Sequence, residues 1–372
     1  MKLTIAGDTF LLDGHPTYTA HTGFPEADSR LAGLLLNHRV VNGIFEDLAG
    51  VYDAGGGWDA EANTEHFVEA MSTWREQGVI AFTIGLQGGN PFPTSPPPAG
   101  CSTEELDCGA FEADGSLRPA FMARLKRILD RAKALDMVPI INYFYQGGNR
   151  RIREEALGAA VDNATAWLLE NGYDGLIIDL ANECDARRYW PALQPLRIHE
   201  LIYRLKDDVI LFNNRRAQER AIYVSASFTA GYSIADRLAE LADSFVRAVD
   251  LFMPHGNGRT TEEIRETIVA LRQRARSVGK EIPIVYNEDI RRHGAEVNDA
   301  GGDLEHLEAC VEVHVSWGNL IRSHQRVPCI DWVSGSEVQR QWFEATRRLA
   351  GPAKPPSSVC KFARVLRYRA PR

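Results

Sequence analysis

Strand-like and helix-like segments alternate along this chain, and this alternation constrains the fold more than any single motif. Eight short runs of apolar or β-branched residues are predicted as strands, and they cover residues 17–23, 79–86, 137–145, 174–181, 220–228, 248–254, 282–287 and 311–317. Runs that are apolar on both faces are typical of parallel strands covered by helices. The pattern therefore favours an α/β fold.

Helical segments separate most of these strands. Their apolar residues recur every three to four positions, as in the series Phe121, Leu125, Ile128, Leu129, Ala132 and Leu135. The other predicted helices are 60–77, 154–171, 198–217, 234–246, 260–278, 302–310 and 337–350. Strand–helix units in this order predict a (β/α)8 TIM barrel, which takes about 250 residues or more as one unit. We therefore expect a single domain over residues 1–372.

Two additions to the barrel are predicted. An N-terminal β-hairpin is expected where residues 3–6 and 9–12 flank a Gly7-Asp8 turn. Long loops over the C-terminal mouth of the barrel are expected at 24–58 and 87–118. A doubly wound open sheet is the alternative architecture, but the glycine-rich turn typical of that fold is absent from the sequence.

Charge and hydropathy exclude several classes of partner. A net charge of -8 gives no reason to expect nucleic acid or an anionic membrane as a partner. The sequence contains no apolar stretch of the roughly 18 residues that span a bilayer. The N-terminus lacks a signal-peptide core, so we expect a cytoplasmic protein. The oligomeric state is left open by the sequence.

Metal and disulfide chemistry have little support in the sequence. No HExxH pattern or closely spaced cluster of histidine and aspartate occurs, so we expect no metal site. The six cysteines show no CxxC spacing. Cys101 and Cys108 share one predicted loop, and the sequence leaves open whether they pair, although free thiols are expected in a reducing compartment.

Polar and aromatic residues occur where the predicted strands end, and the C-terminal ends of barrel strands converge on one cleft. From the first strand to the eighth they are His21, Gln87, Tyr143 and Tyr145, Asn182 and Glu183, Ser225 or Ser227, His255, Tyr286 and Glu288, and Trp317. Arg30, in the predicted loop at 24–58, is a further candidate for contact with an anionic or hydroxyl-rich ligand. Glycines after Gln87 would let the backbone approach a ligand closely.

Two of these strand ends carry a glutamate. Glu183 follows Asn182 at the end of the fourth predicted strand, and Glu288 ends the seventh. Alternation of side chains places Asp179 with Glu183 on one face of the first of these strands, and Tyr286 with Glu288 on one face of the other. Either glutamate alone is equally well explained as the start of a loop. Two carboxylates on one barrel, however, are what cleavage of a glycosidic bond requires.

The chain resembles the clan A glycoside hydrolases, a superfamily of retaining (β/α)8 glycosidases. In that clan an Asn-Glu pair ends strand four and a glutamate ends strand seven, and Asn182-Glu183 and Glu288 match those positions. The segment from Phe10 to Pro16 is similar to the opening of many clan members. The tyrosine that often follows the strand-six histidine is replaced by Gly256-Asn257.

The resemblance implies a role for each matching residue. Glu183 would act as general acid and then base, Glu288 would attack the anomeric carbon, and Asn182 would contact the sugar 2-hydroxyl group. His255 would lie near the nucleophile, and Trp317 would form the floor of the first sugar subsite. The remaining pocket candidates are His21, Arg30, Gln87, Tyr145 and Tyr286.

The expected function is that of a retaining β-glycosidase, with a carbohydrate as the substrate partner and no cofactor. The long predicted loops indicate exo action on a short saccharide or glycoside, while the sugar and its linkage are left open. Two alternatives also stay open. One is a carbohydrate-binding barrel without turnover, and the other is a metal-assisted lyase or isomerase with an ion near Glu183, Asp179 or His255.

Overall fold

The computed structural model describes residues 2–48, 58–89, 109–145, 151–290, 301–321, 332–333 and 337–355. The first described elements are three short strands, β1 (Leu3–Ala6), β2 (Thr9–Leu12) and β3 (His15–Pro16), which form an antiparallel sheet in that order. The predicted N-terminal hairpin is thus confirmed, and a third short strand extends it.

Parallel strands form the body of the protein. They are β4 (Asn37–Arg39), β5 (Ala81–Gly85), β6 (Val138–Tyr145), β7 (Leu176–Asn182), β8 (Ile222–Ser225), β9 (Ser227–Phe228), β10 (Met253–Pro254), β11 (Val285–Asp289) and β12 (Ser316–Asn319). Seven of them are hydrogen-bonded in the order β11-β12-β4-β5-β6-β7-β8. Apart from these strands, β9 and β10 pair in parallel with each other.

The β9–β10 pair closes the sheet into a ring. β9 continues β8 after a one-residue interruption at Ala226, and a parallel bridge between Phe252 and Ile284 joins the approach to β10 with the approach to β11. With β8 and β9 taken as one barrel strand, the ring has eight strands in the described part of the chain. The predicted TIM barrel is therefore confirmed.

Helices cover the outside of the barrel. They are α1 (Ala60–Glu76), α2 (Pro119–Ala134), α3 (Leu157–Glu170), α4 (Ile198–Arg216), α5 (Ala235–Ala239), α6 (Asp243–Ala248), α7 (Thr261–Ser277), α8 (Gly301–Glu312) and α9 (Glu337–Ala350). The apolar series predicted for α2 is buried, from Phe121 to Ala132. A search of the described residues finds no helix with the length and apolar character needed to cross a membrane.

The first barrel strand does not lie where the sequence predicted it. Residues 17–23 contain a short 3-10 helix at Ala20–Thr22, and the first barrel strand is β4. β4 consists of Asn37, His38 and Arg39, and all three are fully buried although they are polar. This polarity hides the strand from a search for apolar runs. The number of barrel strands is unchanged, so Glu183 and Glu288 remain at the ends of the fourth and seventh.

The position of β4 also changes the first mouth loop. Residues 24–36 precede β4 and therefore lie at the N-terminal end of the barrel, so the loop after this strand begins at Val40. The last strand is displaced as well, because Val311 and Glu312 belong to α8 rather than to β12. Parts of both predicted mouth loops, together with Cys101 and Cys108, lie outside the described residues.

The close packing of β12 on β4 depends on a glycine. A methyl group at Gly318 would overlap Oδ1 and Cγ of Asn37, its partner in the strand pairing. We therefore expect Gly318→Ala to lower the free energy of unfolding by about 1–3 kcal/mol, as overpacking of a filled core does. Chemical denaturation measures this change. Gly231→Ala is the matched control, since its methyl group would meet only Thr229 Oγ1, at 3.7 Å. Equal losses in the two variants would contradict the packing argument.

Candidate active site

Two glutamates and a histidine meet at the C-terminal end of the barrel. Glu183 follows β7, Glu288 lies in β11, and His255 follows β10. His255 Nδ1 lies 3.2 Å from Glu183 Oε1 and 3.6 Å from Glu288 Oε2. A carboxylate oxygen of each glutamate and a ring nitrogen of the histidine all lie within 4.8 Å of one another. The fold thus brings together the two carboxylates that the sequence places at separate strand ends.

Glu288 is held by a buried ion pair and by an amide. Arg39 Nε lies 2.6 Å from Glu288 Oε2, and the Asn257 side-chain amide donates to Glu288 Oε1 at 2.7 Å. Arg39 is fully buried, and Glu288 is only 7% exposed. A charge removed from water to this extent requires such partners, because an isolated buried ion is strongly destabilising. These contacts favour an ionised carboxylate in one orientation.

The backbone at Glu183 turns two consecutive side chains toward this cluster. The φ angle of Glu183 is +56°, in the left-handed region that few residues other than glycine adopt. Its N–H donates to Ser227 Oγ at 3.0 Å, while the preceding Asn182 accepts a hydrogen bond from Arg39 Nη2 at 2.7 Å. Regular alternation would send these neighbours to opposite faces of β7. The left-handed residue therefore accounts for their convergence.

His255 is completely buried between the two glutamates. Its backbone N–H donates to Ser233 Oγ at 3.2 Å, which anchors the residue to the segment after β9. Burial alone lowers the pKa of His255, but the charges of Glu288 and Glu183 outweigh burial and raise that pKa above its usual value. The site thus favours a protonated imidazole next to both carboxylates.

A third carboxyl group lies deeper in the barrel. Asp179 of β7 accepts hydrogen bonds from the N–H and the Oγ of Ser227, at 2.8 and 2.9 Å. Burial raises the pKa of Asp179 to about 6, although His255, Ser227 and Arg39 act in the opposite direction. Asp179 therefore belongs to the electrostatic environment of the glutamate pair.

Gln87 and Tyr145 lie at adjacent strand ends. Gln87 follows β5 and is buried, and its Oε1 accepts the backbone N–H of Tyr145, the last residue of β6, at 2.9 Å. Tyr145 itself is half-buried. Both residues lie at the mouth end of their strands, as the sequence analysis expected, and contact with a ligand stays a prediction.

Two other predicted binding residues lie away from the site. His21 is part of the 3-10 helix before β4 and stacks on His15, with the ring centroids 4.1 Å apart. Arg30 is in a second short 3-10 helix, also before β4, where it pairs with Asp28 and Glu308 on the surface. Both residues therefore lie in the segment that leads into the N-terminal end of the first barrel strand. Their placement follows from the displaced position of that strand.

Tyr286 and Trp317 point away from the barrel axis. They are partners in the β11–β12 pairing, and both are fully buried. The indole N–H of Trp317 donates to Asp289 Oδ2, and this carboxylate also contacts His306 of α8, so the two aromatic residues lie on the side of the sheet that faces the helices. An irregularity in register between Tyr286 and Asp289 separates Tyr286 from the face that carries Glu288. The expected sugar contacts of these residues are therefore not supported by their placement.

Two residues of the cluster were not selected from the sequence. Arg39 stands in a polar tripeptide between the apolar segments 34–36 and 40–41, and this flanking is the available signal for a buried polar strand. Asn257 stands two residues after His255, in the segment where the sequence departs from the clan pattern. The structure shows that this departure supplies a hydrogen-bond donor to Glu288.

A metal ion fits this cluster poorly, although the geometry is close enough. Among the described residues, Glu183, His255 and Glu288 offer ligand atoms that a divalent cation could bridge. Both oxygens of Glu288 already have a partner, however, since Arg39 contacts one and Asn257 the other. A cation would have to displace the buried guanidinium group. The donors present therefore suit a carboxylate pair better than a metal centre.

Removal of the Arg39 charge tests how far the fold depends on this ion pair. Arg39→Met leaves Glu288 buried without its cationic partner, and we expect a loss of about 3–5 kcal/mol in the free energy of unfolding. Arg30→Met is the control, because its ion pairs are exposed and contribute little. Denaturant unfolding at neutral pH measures both. A similar effect in the two variants would contradict the role given to burial.

The raised pKa of Asp179 predicts a pH dependence of stability with a defined sign. Between the ordinary pKa near 3.8 and the folded value of about 6, the folded protein retains a proton that the unfolded chain has released. The contribution of Asp179 to the free energy of unfolding is therefore fully present below pH 3.8 and is lost as the pH rises through about 6. The total loss is on the order of 3 kcal/mol. Asp179→Asn should remove this pH dependence. The measurement follows unfolding in steps from about pH 4 to about pH 7, a range that spans the two pKa values. Parallel profiles for wild type and variant would refute the assignment.

Comparison with known proteins finds similarity in structure only. No family model and no curated protein matches the chain. Among solved structures, the chain is similar to PbGH5A, a glycoside hydrolase family 5 enzyme from Prevotella bryantii B14, with a TM-score of 0.56 and 12% identity over 94% of this chain and 100% of that one.

Two further structures give the same result. For the endo-beta-mannanase/endo-beta-glucanase PbGH26A-GH5A of Prevotella bryantii the TM-score is 0.56, with 13% identity over 90% of this chain and 50% of that one. For a GH5-4 broad specificity endoglucanase from an uncultured bacterium it is 0.51, with 13% identity over 86% and 94% of the two chains. At these identities the likeness concerns architecture. The chain therefore has the (β/α)8-barrel fold found in glycoside hydrolases of clan A.

Proposed function

We propose that this protein is a retaining β-glycosidase in which Glu183 is the acid/base and Glu288 the nucleophile. The observation that carries the proposal is the approach of two carboxylates, within 4.8 Å between oxygens, at the ends of the fourth and seventh strands of a barrel. Retaining enzymes hold their carboxyl groups about 5–5.5 Å apart, whereas inverting enzymes leave about 6.5–9.5 Å for a water molecule. The short separation supports double displacement.

The surroundings of Glu288 suit a nucleophile. Attack on the anomeric carbon requires an ionised carboxylate with a fixed orientation. Arg39 supplies a buried positive charge at one oxygen, and Asn257 supplies an N–H donor at the other. The leaving group then departs and an ester forms between Glu288 and the sugar, which water cleaves in the second step.

The surroundings of Glu183 suit proton transfer. Its side chain is 16% exposed, against 9% for that of Glu288, so it is the more accessible of the two carboxyl groups. In the first step the carboxyl group of Glu183 would protonate the departing oxygen, and in the second step its carboxylate would take a proton from the attacking water. His255 Nδ1 lies 3.2 Å from Glu183 Oε1 and holds this carboxyl group next to Glu288.

The fold neighbours support a substrate class. They include an endoglucanase and an endo-beta-mannanase/endo-beta-glucanase, which supports a β-linked glucoside or mannoside as the substrate here. Exo action on a short saccharide or glycoside is proposed from the length of the sequence between β4 and α1 and between β5 and α2, of which residues 49–57 and 90–108 lie outside the described part of the chain.

Isosteric variants separate the two roles on aryl and alkyl β-glucosides and β-mannosides. Glu288→Gln should abolish turnover on every substrate that the wild type cleaves. Glu183→Gln should lose about 100-fold or more on an alkyl glycoside, as expected for loss of a general acid. It should lose far less in the first step on a dinitrophenyl glycoside, whose leaving group needs no protonation. Steady-state and burst kinetics measure these effects.

The control is Glu219→Gln, which changes a glutamate whose side chain is 94% exposed and which should keep wild-type rates. Retained turnover in Glu288→Gln would overturn the proposed nucleophile. Release of the sugar with inverted anomeric configuration, followed by NMR, would overturn retention. Saccharide binding without turnover by the wild type would instead favour a binding barrel, and activity abolished by a chelator would favour metal-assisted chemistry.

A further inference from the structure

A buried carboxylate lies directly behind Glu288 and has no part in the chemistry described so far. Asp289 is the next residue in β11 and is fully buried on the helix-facing side of the sheet. Its Oδ2 accepts the indole N–H of Trp317 at 2.7 Å and lies 2.8 Å from His306 Nδ1. We name this group the rear triad; it consists of Asp289, Trp317 and His306. They join the end of β11 to β12 and to α8.

The carboxylate of Asp289 also packs against the segment that carries His255 and Asn257. A methyl group at Gly256 would lie 2.5 Å from both Cγ and Oδ1 of Asp289, so these groups are in direct contact. His255 and Asn257, the neighbours of this glycine, are the two residues that contact Glu288 from that side. Asp289 therefore touches the backbone between them.

Backbone hydrogen bonds reinforce the same junction. The N–H of Gly256 donates to the carbonyl oxygen of Glu288 at 3.1 Å, and the N–H of Gly258 donates to that of Ile290 at 2.8 Å. On the opposite edge, the N–H of Leu320 donates to the carbonyl oxygen of Asp289 at 2.9 Å. The strand end that carries Glu288 is thus bonded on both sides, and Asp289 is at the centre of these contacts.

We propose that Asp289 is a positioning residue for Glu288, acting through its contacts with Trp317, His306 and Gly256. Two contacts at one oxygen, Oδ2, anchor Asp289 on the helix side. This anchor fixes the rotation of β11 at its end, and the rotation decides where the Glu288 carboxylate lies relative to His255 and Asn257. The inference rests on the proposed function, because it concerns the orientation of the proposed nucleophile. A misplacement of about 1 Å in a reacting group can cost about 100-fold in rate.

The test measures the reactivity of Glu288 itself. The probe is a dinitrophenyl β-glucoside, or mannoside if only mannosides are cleaved, whose 2-hydroxyl group is replaced by fluorine. It loses dinitrophenolate and leaves a long-lived sugar ester on the nucleophile, which peptide mass spectrometry locates. In Asp289→Asn the limiting rate of labelling should fall about 100-fold, while the probe concentration for the half-maximal rate stays within about twofold, because orientation changes and binding does not.

Further variants keep the test decisive if Asp289→Asn folds poorly. Trp317→Phe removes one donor to Asp289 and should slow labelling to an intermediate degree. The double variant with Asp289→Asn should label no more slowly than Asp289→Asn alone. Tyr18→Phe is the control for lost stability, since it removes a buried hydrogen bond to the Gly78 carbonyl at the other end of the barrel. This variant should label at the wild-type rate.

The outcomes separate the two claims. Wild-type labelling at Glu288 that is slowed in Asp289→Asn and Trp317→Phe but not in Tyr18→Phe supports the positioning role. Equal labelling rates in wild type and in either rear-triad variant overturn that role and leave the proposed function intact. Absence of a label on Glu288 in the wild type overturns the proposed function, and the positioning role with it.

Discussion

The ion pair between Arg39 and Glu288 is the interaction on which the rest of the site depends. A barrel interior disfavours an isolated charge, so a carboxylate at its mouth can stay ionised only if a cation is buried with it. Arg39 comes from the first barrel strand and contacts Glu288 on the seventh and Asn182 on the fourth. One guanidinium group therefore joins three strands across the ring, and the position of each carboxylate is tied to the packing of the barrel.

The remaining polar contacts extend this pairing into a continuous network. Ser227 links Asp179 to the backbone of Glu183, and His255 links Glu183 to Glu288. Ser227 begins β9, directly after the interruption at Ala226 that separates it from β8. The break in strand pairing thus turns a hydroxyl group toward β7 at the level of the site. The polar network in this part of the barrel therefore depends on an irregularity of the backbone.

The sequence was sufficient to predict the architecture and the position of the two glutamates at strand ends. The strands are visible as apolar runs, and two of these runs end in a glutamate. It was insufficient where polar residues are buried. β4 was missed because Asn37, His38 and Arg39 gain their stability from partners on distant strands, which no local pattern contains. The errors at His21 and Arg30 followed from that omission alone.

Alternation along a strand was a second source of error, because it placed Tyr286 on the face of Glu288. At β7 it placed Asp179 with Glu183, and both lie near His255. A left-handed residue lets Asn182 and Glu183 converge, and a register irregularity turns Tyr286 away from the face of Glu288. Such departures depend on contacts across the sheet, such as the hydrogen bond from Gly256 to Glu288, and a period of two residues cannot predict them. Asn257 was hidden for a different reason, since its segment departs from the clan pattern.

The left-handed backbone at Glu183 has a consequence for how this position relates to folding. A residue with a Cβ atom in this conformation costs roughly 1–2 kcal/mol relative to glycine. The architecture alone would therefore favour glycine where β7 ends, and the glutamate works against the stability of its own turn. Position 183 is thus a place where the requirements of the scaffold and those of the side chain oppose each other, and the residue present is the one that the scaffold does not prefer.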